Sequence, residues 1–546
     1  MNTKGIEFRV ISQRYVFAIA IAIACAFANA KAANPSADNL IINEVMPANI
    51  DMFVDASGDY GGFIELYNPT DESVRLLNMF VSDDRNDLYK FRLSASNGSV
   101  PAHGYKILWF DHNGTEGEYF SNASQVPWKL NLDGGDIFIC NKDSQLVVSL
   151  HYPKNFARTS WCRKTDGGVE WGYTSQPTPG RSNVGVSYAT SQVASPKPDA
   201  DGCVFESDFT LHVSYPEGAT LHYTTDGSTP TKSSATTSSG TFRIKKNESK
   251  VYRFRCFREG YLPSEVITRS FIYRSRNYTL PVVSLVSAND NFYGDSLGIL
   301  VKGLFTNYDM DWDRPVNFEM FDTDNTCIIN TECDMASSGA FSRSLTPRPF
   351  RLKASKLYSG RNTFDAQFFE MKNHVKTKNL KFRNGGNDVS NRIKDGALQE
   401  IIQRSGIYLD GQLYRPVHVL INGHYHGMLN IREPSNKFFA YSNYGIDTDL
   451  VDAFEYDPAD GYVQKDGDNE MFMKFIALSE NASDDAVYEE ICKLVDIDEY
   501  CNYMAAQCWM GGNDWITNNN NAKGFRERSD DGRLHLVMYD IDAAFP

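Results

Sequence analysis

Two acidic stretches near the C-terminus hold the residue types best suited to chemistry. The first is Gly511-Gly512-Asn513-Asp514-Trp515-Ile516-Thr517-Asn518-Asn519-Asn520-Asn521, and the second is Met538-Tyr539-Asp540-Ile541-Asp542-Ala543-Ala544-Phe545. Phosphoryl transfer needs one carboxylate to orient an attacking hydroxyl. It also needs Asp and Asn oxygens to hold the divalent ion that neutralises the phosphates. The apolar run Leu534 to Met538 reads as a strand. If that strand continues, Asp540 and Asp542 fall on one face and share a cation. The competing reading is structural, because Asn- and Asp-rich runs form turns by bonding their own backbone. Spacing alone leaves both open.

The whole chain narrows the class. Its 546 residues exceed one domain, and 42% hydrophobic with 13% aromatic residues supports proper cores. A net charge of −15 argues against nucleic acid or anionic lipid as the main partner. Residues 1–33 read as a secretory signal: Arg9 and Arg14 precede the apolar run Val16 to Phe27, with small-x-small cleavage sites at Ala28-Asn29-Ala30 and Ala30-Lys31-Ala32. Cys25 leaves a lipoprotein-type anchor open. No later stretch reads as a transmembrane span, so the chain is expected to be secreted or held at the cell surface. Removing Cys25 from the 10 cysteines leaves nine. Cys140 with Cys162, Cys203 with Cys256 and Cys327 with Cys333 could pair, free thiols being equally compatible. None has CxxC spacing, which argues against a structural zinc site of that kind.

Residues 38–184 show short strands, Leu40–Val45, Phe63–Asn68, Tyr105–Phe110, Asp136–Cys140 and Leu146–Leu150, between Gly, Asn and Asp turns. That is the pattern of an all-β sandwich. The run Ile41-Ile42-Asn43-Glu44-Val45-Met46-Pro47, then Gly62 to Asn68, Val100 to Tyr105, Leu132 to Asp136 and Pro177 to Asn183 resemble a lamin-tail domain, which implies an immunoglobulin-like sandwich used for interaction or tethering. Glu44 and Glu65 form a possible carboxylate pair; the alternative is that they sit at strand edges and bond turn amides. A Ser-, Ala- and Pro-rich linker, 185–200, leads to a second β unit at 201–274. Its centre, Leu221-His222-Tyr223-Thr224-Thr225-Asp226-Gly227-Ser228-Thr229-Pro230, is similar to the small sandwich at the C-terminus of chitobiases and hexosaminidases. Tyr223 and Tyr252 are either sugar-stacking or core residues, and core packing is the simpler reading.

From residue 280 to 546 the composition turns to mixed α and β. Asp309, Asp311 and Asp313 alternate like calcium ligands but lack the Gly and closing Glu of an EF-hand, so a solvated turn is expected. Ser338-Gly339-Ala340-Phe341-Ser342-Arg343-Ser344 precedes the basic strand around Arg351 and Lys353, a pattern that could meet phosphate. Lys381-Phe382-Arg383-Asn384-Gly385-Gly386-Asn387-Asp388 ends a strand. A helix from Asp395 to Ser405 follows, with Ala397, Leu398, Ile401 and Ile402 at helical spacing and Gly406 as its cap. Asn422-Gly423 marks a tight hairpin before Arg432-Glu433.

Taken in order, these segments resemble the CotH kinase family, secreted protein kinases related to spore-coat protein H. The resemblance implies an atypical kinase-like α+β domain after two β-sandwiches. It implies ATP with Mg²⁺ or Mn²⁺ as cofactors, and transfer of the γ-phosphate to Ser or Thr of an extracytoplasmic protein. Carried over by residue, it makes Asp514 the catalytic carboxylate, and Asp540, Asp542 and Asn519 (or Asn518) the metal ligands. Arg343, Arg348, Arg351 and Lys353 become nucleotide contacts, with Arg383 and Glu433 forming an ion pair or polar contacts that shape the cleft. Arg348 stands where the family has Lys, replacing a compact ammonium with a planar fork. The chain ends at Pro546, directly after Asp-x-Asp. That reads as a fragment whose last strand lacks the helices to cover its apolar face. Two other readings follow from the same features: a catalytically inactive surface scaffold or adhesion protein that binds a surface protein or glycan through the lamin-tail domain, and a carbohydrate-associated auxiliary protein.

Overall fold

The computed structural model describes residues 39–55, 57–111, 125–369, 372, 375–388, 390–457, 461–512, 514–515 and 520–545. The expected signal segment and Cys25 lie outside these residues, as do Asn518 and Asn519.

Strand alternation builds the first unit from two facing sheets. One has six strands, with Ile41–Met46 and Gly62–Tyr67 at its middle; the other has four, with Gly134–Cys140 and Leu146–Pro153 at one side. Ile64, Leu66 and Leu108 from the first sheet and Val81, Ile137 and Ile139 from the second bury against one another. Glu44 and Glu65 therefore lie on central strands, not at an edge, and are paired in register. Their oxygens nonetheless take turn amides: Thr178 N–H donates to Glu44 and Gly180 N–H to Glu65.

The second unit packs a three-stranded sheet on a five-stranded one. Tyr252 is buried and Tyr223 half-buried, Tyr223 packing edge-on to Phe242 at 4.9 Å, so both serve the core and not a sugar platform. The stretch 185–200 is not a loose tether. Ala189 bridges to Tyr173, Gln192 bridges to Leu262, and Val193 is buried in the second core.

In the third unit, elements are numbered from its first strand. Strands β1 (Val282–Val286), β2 (Arg314–Phe321), β3 (Cys327–Ser337), β4 (Phe350–Lys353) and β5 (Asn379–Arg383) are followed by α1 (Lys394–Ser405) and β6 (Asp410–Gly411). Next come β7 (Tyr414–Ile421), β8 (His424–Arg432), α2 (Lys437–Tyr444), β9 (Val451–Asp457) and β10 (Gly461–Asp466). The helices α3 (Glu470–Ser479), α4 (Asp485–Leu494) and α5 (Ile497–Met510) and the strands β11 (Lys523–Glu527) and β12 (His535–Met538) complete it. A closed barrel runs β1-β2-β3-β4-β5-β8-β7, sealed by parallel pairing of β7 with β1. Alternate residues such as Phe318, Phe350, Phe382 and Val419 fill its interior. A second sheet runs β6-β12-β11-β9-β10.

The Asn422-Gly423 turn has φ of 48° and 81°, as a two-residue hairpin requires. Helix α1 ends at Gly406 in the left-handed region, and it buries Leu398 and Ile402 while Ile401 is exposed. The apolar face of β12 does not wait for helices beyond residue 546. Met538 is buried among Leu398 and Ile402 of α1 and Tyr503 and Met510 of α5. All nine cysteines among the described residues are free thiols, so the three suggested disulfides are absent. Among the described residues no helix is long and apolar enough to cross a membrane.

The three units are joined by buried charge. Arg158 of the first unit donates to Asp51 at 2.9 Å and to Glu332 of β3 at 2.9 Å. Arg253 of the second unit donates to the same Glu332 oxygen at 2.8 Å and to Thr229 at 3.0 Å. Thr229 closes the ring by donating to Asp51 at 2.5 Å.

Candidate active site

Helix α5 begins with Asp496, whose side chain accepts from Glu499 N–H, and ends at Gly511 with φ of 60°. This stop turns the chain into Asp514. The Asp514 carboxylate accepts from the Asn520 side-chain amide at 2.8 Å and from that of Asn521 at 3.2 Å. Part of the Asn-rich run thus works as turn chemistry, and what it fixes is the carboxylate itself.

On the facing segment, β12 stops at Met538 and Asp540 adopts φ of 51°. The strand expected to carry Asp540 and Asp542 in alternation is therefore already over. A left-handed residue cannot extend a ladder, and Asp is among the few that tolerate it. The two carboxylates converge by another route, on a cation. Arg383 of β5 bonds Asp540 Oδ1, lies 3.6 Å from Asp542 Oδ2 and 3.4 Å from Asp395 Oδ2. A guanidinium thus stands where the two aspartates were expected to share a metal ion. Asp542 is 3% exposed, and its oxygens accept from the Asn387 backbone N–H at 3.0 Å and side-chain amide at 3.2 Å. Burial, with Asp540 adding to it, pushes its carboxyl up to about 6. Asp540 is 23% exposed and faces solvent.

The motif around Arg383 now has a physical account. Asn384 donates to Pro347 O at 2.9 Å and Ser342 O at 3.3 Å, tying the Gly-Ala-Phe-Ser-Arg-Ser turn to the site. Gly386, with φ of 54°, lets the backbone approach Asp542 so closely that a Cβ would lie 2.3 Å from Oδ2. Asp388 accepts from Ile393 N–H and Lys394 N–H, both at 2.9 Å, at the start of α1. One short motif therefore positions Asp540, Asp542 and a helix.

Asp514, Asp540, Gln507, Trp515 and Tyr539 line one small, half-open cleft. Behind Asp540, Lys523 Nζ lies 4.2 Å from the Tyr539 ring centre, and Lys381 Nζ is 3.5 Å from its hydroxyl. Lys381, then burial acting the other way, then Lys523 decide the Tyr539 phenol, which is held below its ordinary value. Lys523 also pairs with half-buried Glu455. Burial alone would raise Glu455, but Lys523 and Lys465 overcome it and bring the carboxyl down to about 2.

The sequence reading did not single out Lys381, Tyr539, Lys523 or Glu455. Lys381 was within reach, since period-two alternation puts it on the same face of β5 as Arg383. Nothing in the sequence pairs Lys523 with Glu455.

The cations expected at the nucleotide sit elsewhere. Arg343 bonds Gly339 O and Asp309 O. Arg348 donates to Leu300 O at 2.7 Å and Arg343 O at 2.6 Å, over the Tyr308 ring. Arg351 donates to Asp311 at 2.7 Å, and Lys353 lies 3.6 Å from Asp313. The solvated turn expected at Asp309–Asp313 is thus a counter-ion shelf, with Asp313 itself buried. Arg383 and Glu433 do not pair. Glu433 is buried against Lys372 at 3.0 Å and Asn443 at 2.9 Å.

With this arrangement in place, comparison with known families is decisive for part of the chain. Residues 336–546 match the CotH kinase protein family. This CotH region contains Asp514, Asp540, Asp542 and Arg383 and excludes the first two strands of the barrel. Residues 201–268 match the chitobiase/beta-hexosaminidase C-terminal domain, in agreement with the second β unit. No curated protein matches the chain.

Proposed function

We propose that the CotH region transfers the γ-phosphate of ATP to a Ser or Thr hydroxyl of an extracytoplasmic protein. The observation that carries this reading is the convergence of Asp514 and Asp540, from segments on different elements, on one cleft with Arg383, Lys381 and Lys523 beside it. Asp514, fixed by two amides, orients the incoming hydroxyl and accepts its proton. The carboxylate oxygens of Asp540 are hard donors of the kind Mg²⁺ or Mn²⁺ takes. Asp542 does not fit that role, because both its oxygens are engaged and it is enclosed; it positions the Gly386 loop and Arg383. A bound divalent ion would supply charge neutralisation at the phosphates. Lys381 is placed to add to it from the chain's own side.

Calorimetry with ATP, with and without Mg²⁺ or Mn²⁺, tests the proposal. Metal-dependent heat that Asp540→Ala abolishes supports it, and phosphate incorporation into protein hydroxyls completes it. The neutralisation of Asp540 by Arg383 favours a second reading, an inactive surface scaffold. A folded protein giving no heat with either metal would select that one.

A further inference from the structure

The opposite end of β12 holds a second constellation, away from the cleft. Asp410 of β6, Glu499 of α5 and His535, the first residue of β12, each bring one ligand atom to within 4.8 Å of the others. The imidazole Nδ1 of His535 lies 2.8 Å from Glu499 Oε2. Donors around a tetrahedral zinc ion, each about 2.0–2.2 Å from it, stand roughly 3.3 Å apart, so the spacing is of the right size.

The donors are also held from behind. The His535 ring stacks on Phe525 at 5.2 Å and 14°, with Tyr444 at 5.3 Å on another side. Asp410 Oδ2 accepts from the Tyr444 hydroxyl at 2.9 Å, and Glu499 Oε1 accepts from Asp410 N–H at 3.2 Å. Outer contacts of this sort orient ligating carboxylates.

Charge is short of balance at this point. Glu499 is 1% exposed, and two carboxylates face one imidazole. Lys372, whose field also reaches Asp410, is already engaged by Glu433.

We infer that Asp410, Glu499 and His535 bind a divalent transition ion of the zinc class through two carboxylate oxygens and one imidazole nitrogen. The mixed nitrogen and oxygen set favours such an ion over Mg²⁺, which prefers oxygen alone. The site joins the start of α5, which runs on to Asp514, to the start of β12, which runs on to Asp540. The ion braces both segments from the end remote from the cleft. This inference does not depend on the phosphoryl-transfer reading.

The experiment is metal analysis of the purified full chain, followed by EDTA stripping and Zn²⁺ titration against a chromophoric chelator. One zinc per chain is expected, with affinity lowered at least about 100-fold in both His535→Ala and Glu499→Gln and unchanged in Asp540→Ala. The Co²⁺-substituted protein should show d–d bands without thiolate charge transfer, which separates this site from the free cysteines. Asp410→Asn, close in shape to the native residue, serves where His535→Ala does not fold. A folded wild-type chain that retains no zinc, retention in both ligand variants, or a thiolate band overturns the assignment. The triad would then be an imidazolium bridging two carboxylates.

Discussion

Two pairs of acids in this molecule differ in what satisfies them. In the first unit, Glu44 faces Glu65 across paired strands, and both are fully enclosed. Ser160 and Thr178 donate to Glu44, while Asn43 at 3.0 Å and Gly180 at 2.6 Å donate to Glu65. Burial outweighs these donors and the field of Arg181, pushing Glu44 up to about 7, and pushes Glu65 well above its usual range. In the CotH region, Asp540 and Asp542 meet over Arg383, and Asp540 reaches solvent in a cleft. An acid pair stitched by neutral donors and sealed from water secures a fold. One balanced by a single cation and open on one side can exchange that balance for a ligand.

The sharpest test of the contrast is catalytic. Asp514→Asn should lower phosphate incorporation by about 10²–10⁴-fold while metal-dependent ATP heat persists. Glu44→Gln should leave incorporation unchanged. Equal loss in both, measured under single-turnover conditions, would erase the distinction. Next is stability. Arg383→Met leaves Asp540 and Asp542 without their cation, while Asp395 keeps Arg432 at 2.7 Å, and should cost about 3–5 kcal/mol in denaturant unfolding.

The pH dependence comes third. Because the folded Glu44 carboxyl titrates near 7 and its unfolded value is 4.5, its contribution to stability is complete below about 4.5 and is lost as pH rises through 7. The thermal midpoint of the wild-type chain should therefore rise between pH 7.5 and 5.5 more steeply than that of Glu44→Gln; identical slopes would refute the burial argument. The smallest effect belongs to Arg351→Ala. Its partner Asp311 is 64% exposed, so the loss should stay under about 1 kcal/mol, with ATP binding intact. A large loss of ATP affinity would return Arg351 to the nucleotide.

Local rules made much of the scaffold legible. Alternating strands between Gly and Asn turns, the Asn422-Gly423 hairpin and the Gly406 stop each depend on neighbours a few residues apart. The site was legible as residue types and not as geometry. Asp540 was placed on a strand because Leu534 to Met538 alternate, and alternation carries no warning that the next Asp turns left-handed. Arg383 finds Asp540 across 157 positions of chain, a separation no periodicity encodes. The basic residues after the Gly-Ser turn were assigned to phosphate by proximity in sequence. Asp311 and Asp313 of the acidic loop take Arg351 and Lys353, while Arg343 and Arg348 bond backbone carbonyls.

The ring of Asp51, Arg158, Glu332, Arg253 and Thr229 has a consequence for how such a chain can be assembled from parts. Each unit contributes at least one member, and Arg158, at 3% exposure, sits inside. Exchanging the first unit for another sandwich would remove Asp51 and Arg158, leaving Thr229 without its acceptor and Glu332 with Arg253 alone. The three units are therefore clasped through one enclosed network, and a pull on the first unit reaches the barrel through Arg158 and Glu332.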